Sequence, residues 1–266
     1  MLETTALRLT GRDTLSLLHR VTSNALADLV PGQARATLFC DFRGRLLHRA
    51  VVAVTRDGAV WLLRADAPGE ELAAAVDKSV FRDDVRIEDR SADLTVVLSR
   101  GVAGTAGVLA EAGDVPREVA TGDGTRLVIG GGEPLGEEAR IALLHPGHGH
   151  EIVEAFNPFE VGLAHEVHLA KGCFTGQEAL QRLITYESVR RRPVRVRLGD
   201  TRAVPVPADV VASGENAGVL TSVVGHAGFA VVRREAIEAS ASLALADGTS
   251  LEVLAAPEPA RPLGRP

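Results

Sequence analysis

The sequence predicts an α+β body followed by a small all-β C-terminal unit. Three observations point there. Between residues 5 and 188, runs with helical apolar periodicity alternate with strand-like runs joined by turn signals. From residue 189 onward the helical periodicity fades, and short apolar strands recur at close turn spacing, the pattern of a small barrel or sandwich. The last ten residues, 257–266, are proline-rich and read as a disordered tail. The chain therefore divides into 1–188, 189–256 and 257–266, the first stretch being long enough for two closely packed subdomains.

Composition narrows the function classes. Of 266 residues, 45% are hydrophobic and 24% charged, ordinary for a globular protein; aromatics are only 3%, so the core must be Leu, Val and Ala. A net charge of −6 argues against broad nucleic-acid binding, which needs a basic face. Two distant cysteines make neither a disulfide framework nor a Cys-x-x-Cys metal pair and fit a reducing cytoplasm. The N-terminus lacks the basic and apolar regions of a signal peptide, and no apolar run approaches the ~20 residues that span a bilayer.

Taken in order, Leu7–Leu9 reads as a strand, and Thr10-Gly11-Arg12-Asp13 caps a helix with Leu15, Leu18 and Val21 on one face. Thr22-Ser23-Asn24 ends it. Ala36–Cys40, Leu46–Thr55 and Val60–Arg64 are strands, the last two joined at Arg56-Asp57-Gly58. Cys40, in an apolar strand, reads as a buried, inert thiol. Pro68 opens a helix through Leu72 and Val76. Residues 100–136 have weak periodicity, with a short helix expected near Val108 and a hairpin at Gly122-Asp123-Gly124. Glu137–Leu144 reads as helical. His145, His148 and His150 then crowd one loop, but Pro146 and two glycines, with no convincingly spaced carboxylate or cysteine, favour solvated turn histidines over a metal site. His165 and His168 near Cys173 lack a fourth ligand, so no metal ligand set is assigned. Arg190–Arg197 alternates Val and Arg after Pro193, as an exposed strand with one wet face does. Asp247-Gly248 marks a further hairpin.

The densest run of unusual choices is Lys171-Gly172-Cys173-Phe174-Thr175-Gly176-Gln177-Glu178. Thr175 and Glu178 read as a capping box, with Ala179, Leu180, Leu183 and Ile184 on one face of the helix that follows. A cysteine just before a helix start, beside a lysine, sits where negative charge on sulfur is favoured. By itself such a cysteine is more often a packed helix start.

This octapeptide resembles the signature of the YgfZ-like folate-binding proteins, relatives of the glycine-cleavage aminomethyltransferase (T-protein). The resemblance extends to Leu9–Asp13, Lys78–Val85, Arg140-Ile141 with Pro146, Gly149 and Glu151, Asn157–Glu160, and Gly218–Ser222. It implies intertwined α+β domains around a central folate channel, plus a C-terminal β-barrel. It further implies tetrahydrofolate as cofactor and a role in maturing or repairing iron–sulfur enzymes, tRNA-modifying ones among them, with iron–sulfur clients as partners. Carried onto this chain, it makes Cys173 the functional thiol. Asn24, Arg140, Glu160, Lys171, Gly172, Gln177, Glu178 and Arg182 become the folate-binding residues. The folate pocket is then expected close to Cys173.

One departure matters. The aminomethyltransferases carry a paired Asp after the turn at Gly44; here His48 and Arg49 stand there, and no carboxylate follows in the strand until Asp57. The transfer step needs such a group within hydrogen-bond reach of the reacting nitrogen, so folate binding without that reaction is expected. Two other readings are a one-carbon transferase using Glu160 or Glu178, and an interaction module with a vestigial pocket.

Overall fold

Strict alternation along the early strands sets the layering. The computed structural model describes residues 3–104, 106–200 and 203–264. β1 (Thr5–Thr10), β2 (Ala34–Cys40), β3 (Leu46–Val54), β4 (Val60–Arg64) and β5 (Arg86–Asp89) form one antiparallel sheet in the order β2-β3-β4-β1-β5. Leu7, Leu9, Val52, Val60 and Leu62 point to one face, where Leu17 and Leu18 of α1 (Thr14–Val21) and Leu72 and Val76 of α2 (Gly69–Asp77) cover them. Ala6, Val51, Trp61 and Leu63 point to the other face. A second sheet covers that face: β6 (Val96–Ala103), β7 (Gly107–Ala112), β8 (Val115–Ala120) and β9 (Asp123–Ile129), ordered β6-β9-β8-β7. Burying both faces requires the first sheet to be apolar on both, as its continuous Val/Leu/Ala runs are.

The helix expected near Val108 is instead strand β7. Gly113, at φ 64°, turns it into β8, and the pair exchange antiparallel hydrogen bonds. Turn chemistry at Gly113 outweighs the weak helical periodicity of that stretch.

The C-terminal unit is a closed barrel, β10 (Arg191–Leu198), β11 (Ala208–Ala212), β12 (Glu215–Val224), β13 (Ala227–Arg233), β14 (Leu243–Leu245) and β15 (Ser250–Ala255), in the order β10-β13-β12-β11-β14-β15. Closure removes free strand edges. Val194, Val196 and Leu198 of β10 point inward. The alternate arginines face outward and are occupied: Arg191 pairs with Glu160 and Arg197 with Glu252.

Between body and barrel run α3 (Glu137–Ala142), a single 3-10 turn at Ala164–Glu166, and α4 (Gln177–Thr185). Phe156, Phe159, Leu163 and Leu180 pack there against Leu46 of β3 and Phe229 and Val231 of β13. α5 (Arg234–Glu238) closes β13. The tail expected to be disordered runs back over the body as far as the described residues go. Leu263 donates its N–H to Val167 O (2.7 Å) and accepts from Leu169 N–H (2.9 Å). Those two backbone hydrogen bonds tie residue 263 to the segment leading into the octapeptide, an anchor that proline content alone does not reveal.

Candidate functional site: an inter-sheet cavity and the octapeptide loop

A cavity of about 550 Å³ opens between the two sheets, at the ends of β3, β4 and β6 and under the loop 145–150. That lies within the roughly 300–1,000 Å³ usual for small-molecule sites. Val51, Leu63, Val96, Leu98 and Leu127 make its apolar floor, and Arg49, Arg64, Asp66, His145, His148 and Arg140 bring polar groups to it.

One wall is a buried charge network. Arg49 donates to both oxygens of Glu166 (Nη2 to Oε1 2.6 Å, Nε to Oε2 3.1 Å), to Asp123 Oδ2 (3.1 Å) and to His145 Nε2 (2.8 Å). Since Nε2 accepts, the His145 proton sits on Nδ1, 3.4 Å from Asp123 Oδ2. Burial and the Arg49 charge both hold His145 below its usual range. Burial works against the Asp123 carboxylate, but His145 and Arg49 more than offset it and keep it ionised well below the normal range. In the same way Glu166 and Asp123 outweigh the burial of Arg49 and raise it. His48 and Arg49, where the resemblance led to the expectation of a missing carboxylate, bring an imidazole and a guanidinium, and Arg49 is bound into the wall itself.

The other wall carries Arg64, 3% exposed, on β4. It donates from Nη1 to His48 Nδ1 (3.2 Å) and from Nη2 to Pro68 O (2.6 Å). His48 stacks on His148 with ring centroids 5.9 Å apart. Burial, Arg64 and His148 push His48 down to about 4. His148 is also held low, by burial and Arg64. Asp66 Oδ2 accepts from His148 N–H (2.7 Å). His48, His148 and Glu71 each bring a ligand atom within 4.8 Å of the others. Sequence spacing could not reveal that grouping, because β3, α2 and the 145–150 loop each supply one residue. The Arg64 guanidinium beside His48 works against a cation there.

The octapeptide lies elsewhere. Among the expected site residues only Arg140 lines the cavity. Cys173 is exposed and is not among the lining residues, which corrects the expectation of a pocket beside it. The capping box does not form: α4 begins at Gln177 with Gly176 as its N-cap, at φ 84°, and no side chain caps it. Gly176 packs directly on the β2–β3 turn, where a Cβ would stand 2.4 Å from Asp41 O. Close backbone packing, not thiol chemistry, explains that glycine. With Cys173 four residues ahead of Gln177, a dipole confined to the first turn acts on it little. Lys171 directs its ammonium to His19 O and over the Phe174 ring, 4.9 Å from its centroid. Burial pulls that ammonium down to about 8. His19 accepts from Leu26 and Ala27 N–H at Nδ1, so its Nε2–H donates to Lys171 O (2.9 Å). Gly172 has open space around it.

The remaining expected residues have partners within the fold. Asn24 donates to Ala36 O (2.8 Å) and accepts from Ala25 N–H. Glu160 is held by Arg191 (2.8 Å) and Arg45 (3.4 Å). Gln177 donates to Leu169 O (2.7 Å), and Glu178 pairs with Arg182 on the exposed face of α4. Arg140 joins two stretches read separately in the sequence. It reaches Glu151 (2.9 Å) and Ser222 Oγ (2.6 Å), while Thr221 and Ser222 both donate to Glu151. Those motifs bolt the barrel to the body.

Comparison with known proteins fits this architecture. Residues 190–258 match the family model described as the CAF17 C-terminal beta-barrel domain. A chloroplastic protein of Arabidopsis thaliana, provisionally named a transferase, is 31% identical over 121 residues, 41% of this chain. The match spans 27% of that relative's length. The crystal structure of the glycine cleavage system aminomethyltransferase T from Bartonella henselae superposes with a TM-score of 0.74 at 14% identity, over 95% of this chain and 83% of that one. The fold is that of the aminomethyltransferases, with a closed six-stranded barrel at its C-terminal end. The YgfZ-like resemblance read from the octapeptide is borne out in barrel and fold alike.

Proposed function

We propose that this chain, a CAF17-type barrel joined to an aminomethyltransferase-like body, is a tetrahydrofolate-binding accessory protein. It supports the assembly or repair of iron–sulfur enzymes, those that modify tRNA among them, in the cytoplasm. The observation that carries the reading is the cavity of about 550 Å³ between the two sheets, apolar on its floor and polar at one rim, as a flat heteroaromatic ligand with a polar tail requires. Among the described residues no helix is long and apolar enough to cross a membrane. Cys173 is exposed and outside the cavity lining, which supports a role toward a partner protein and not toward the pterin.

Turnover is not part of this reading. Glu160 and Glu178, the carboxylates that a one-carbon transferase would use, are bound elsewhere by arginines and do not line the cavity. Of the β10 arginines, Arg191, Arg192 and Arg197 face intramolecular acids and Arg195 donates to Ala142 O, which argues against a free basic strip for RNA phosphates. Calorimetric titration with tetrahydrofolate tests the reading: saturable one-to-one binding is expected, and no heat at millimolar ligand would refute it. An assay for transfer from an aminomethyl-lipoyl carrier is expected to show none.

A further inference from the structure

A second cleft, of about 530 Å³, opens where the β2–β3 turn, the end of α4 and the barrel strands β10, β12 and β13 meet. It shares no lining residue with the cavity between the sheets. Arg45, Arg190, Arg191 and Arg233 all line it. Arg191 and Arg233 stand directly opposite each other on β10 and β13, a position in which like charges repel. One buried acid faces this group. Glu160, 6% exposed, accepts from Arg191 Nε at Oε1 (2.8 Å) and from Arg45 Nη1 at Oε2 (3.4 Å). Both guanidiniums also donate to Ala155 O (3.2 Å each), and Arg191 lies over the Phe156 ring, 5.1 Å from its centroid. These contacts fix the two forks but leave Nε and Nη2 of Arg45 and Nη1 of Arg191 unused. Arg190 and Arg233 are exposed and, among the described residues, have no ion pair or side-chain hydrogen bond. Two further acids line the cleft: Asp209 accepts from Asn216 Nδ2 (3.1 Å), and Glu235 is exposed. Neither pairs with an arginine of the cleft among the described residues.

We propose that this cleft binds a small phosphorylated ligand, with its phosphate held by Arg191, Arg233 and their neighbours. A carboxylate is satisfied by a single fork, but a phosphate has oxygens and charge enough to be shared by guanidiniums from several elements. Here they come from the β2–β3 turn, β10 and β13. The volume suits a small molecule. A nucleic acid would need the positive surface to continue, and along β10 it does not: Arg192 and Arg197 face acids and Arg195 donates to Ala142 O. The site is independent of the folate reading.

The experiment is calorimetric titration of the full chain with pyrophosphate and with inorganic phosphate at physiological salt. It is repeated on Arg190→Gln, Arg233→Gln and the double variant, with thermal melts to establish that each folds. Expected is saturable one-to-one binding of pyrophosphate, weaker binding of phosphate, and a tenfold or greater loss in the double variant, with tetrahydrofolate titrations the same in all. Absence of saturable binding at millimolar pyrophosphate overturns the site, as does equal affinity in wild type and double variant. An RNA oligonucleotide or a glutamate-rich peptide that binds more tightly than pyrophosphate, and is lost in the same variants, would overturn the small ligand in favour of a macromolecular partner.

Discussion

Glu166 Oε1 lies 2.6 Å from Arg49 Nη2, with 2% and 11% of their side chains exposed. This contact ties β3, at the cavity, to the turn that leads into the octapeptide. Removing the Glu166 charge leaves the buried Arg49 with Asp123 as its remaining counter-charge. Glu166→Gln should therefore lower stability by about 1.5–3 kcal/mol, the range of a hydrogen bond to a charged group, read as a drop in urea midpoint at unchanged m. A loss below about 1 kcal/mol, the range of surface pairs, would mean that water reaches Arg49.

The two cysteines should differ sharply toward iodoacetamide. Cys40 is 5% exposed in β2, and burial pushes its thiol up to about 12. Cys173 is exposed. Mass spectrometry of the native protein at pH 7.5 should show Cys173 alkylated and Cys40 untouched until denaturant is added. Equal labelling would place Cys40 in a locally opened segment.

The octapeptide glycines should separate by substitution. Gly176→Ala puts a Cβ 2.4 Å from Asp41 O and 3.0 Å from the Gly44 Cα, at φ 84°. Gly172→Ala has φ 114° but meets nothing within 4 Å. Backbone strain alone costs about 1–2 kcal/mol, the expected loss for G172A. G176A adds a backbone clash and should lose about 3 kcal/mol or more. Similar losses in both would show that the β2–β3 turn yields.

Lys171 should leave a mark on the pH dependence of stability. Burial lowers its folded value from 10.5 to about 8. Between those values the unfolded chain keeps a proton that the folded chain has released, so stability rises with pH across that window. Below about 8 both states are protonated and the slope vanishes. The difference in unfolding free energy between wild type and Lys171→Met should therefore climb from pH 8 to 10.5. A flat difference would put the ammonium in water.

Much of the fold could be read from local pattern. The alternation of Leu, Val and Ala in β1, β3 and β4, the Asp57-Gly58 and Asp247-Gly248 turns, and the Val/Arg alternation of β10 each encode an element within a few residues. The aminomethyltransferase-like body and the barrel were legible in the octapeptide and its companion motifs. The motif residues Arg140, Glu151, Thr221 and Ser222 satisfy one another's hydrogen bonds where water is excluded, whatever ligand is bound.

Tertiary structure decided where the chemistry sits. Nothing local sets His48, Arg64 and His148 side by side, since β3, β4 and a loop some eighty residues on supply them. Nothing local parts Cys173 from the cavity, or lays Leu263 beside Val167 and Leu169. Short-range preferences of backbone and side chain write helices, strands and turns into sequence. A site is a sum of burial and charge over residues distant in the chain, and those terms exist only once the sheets have packed.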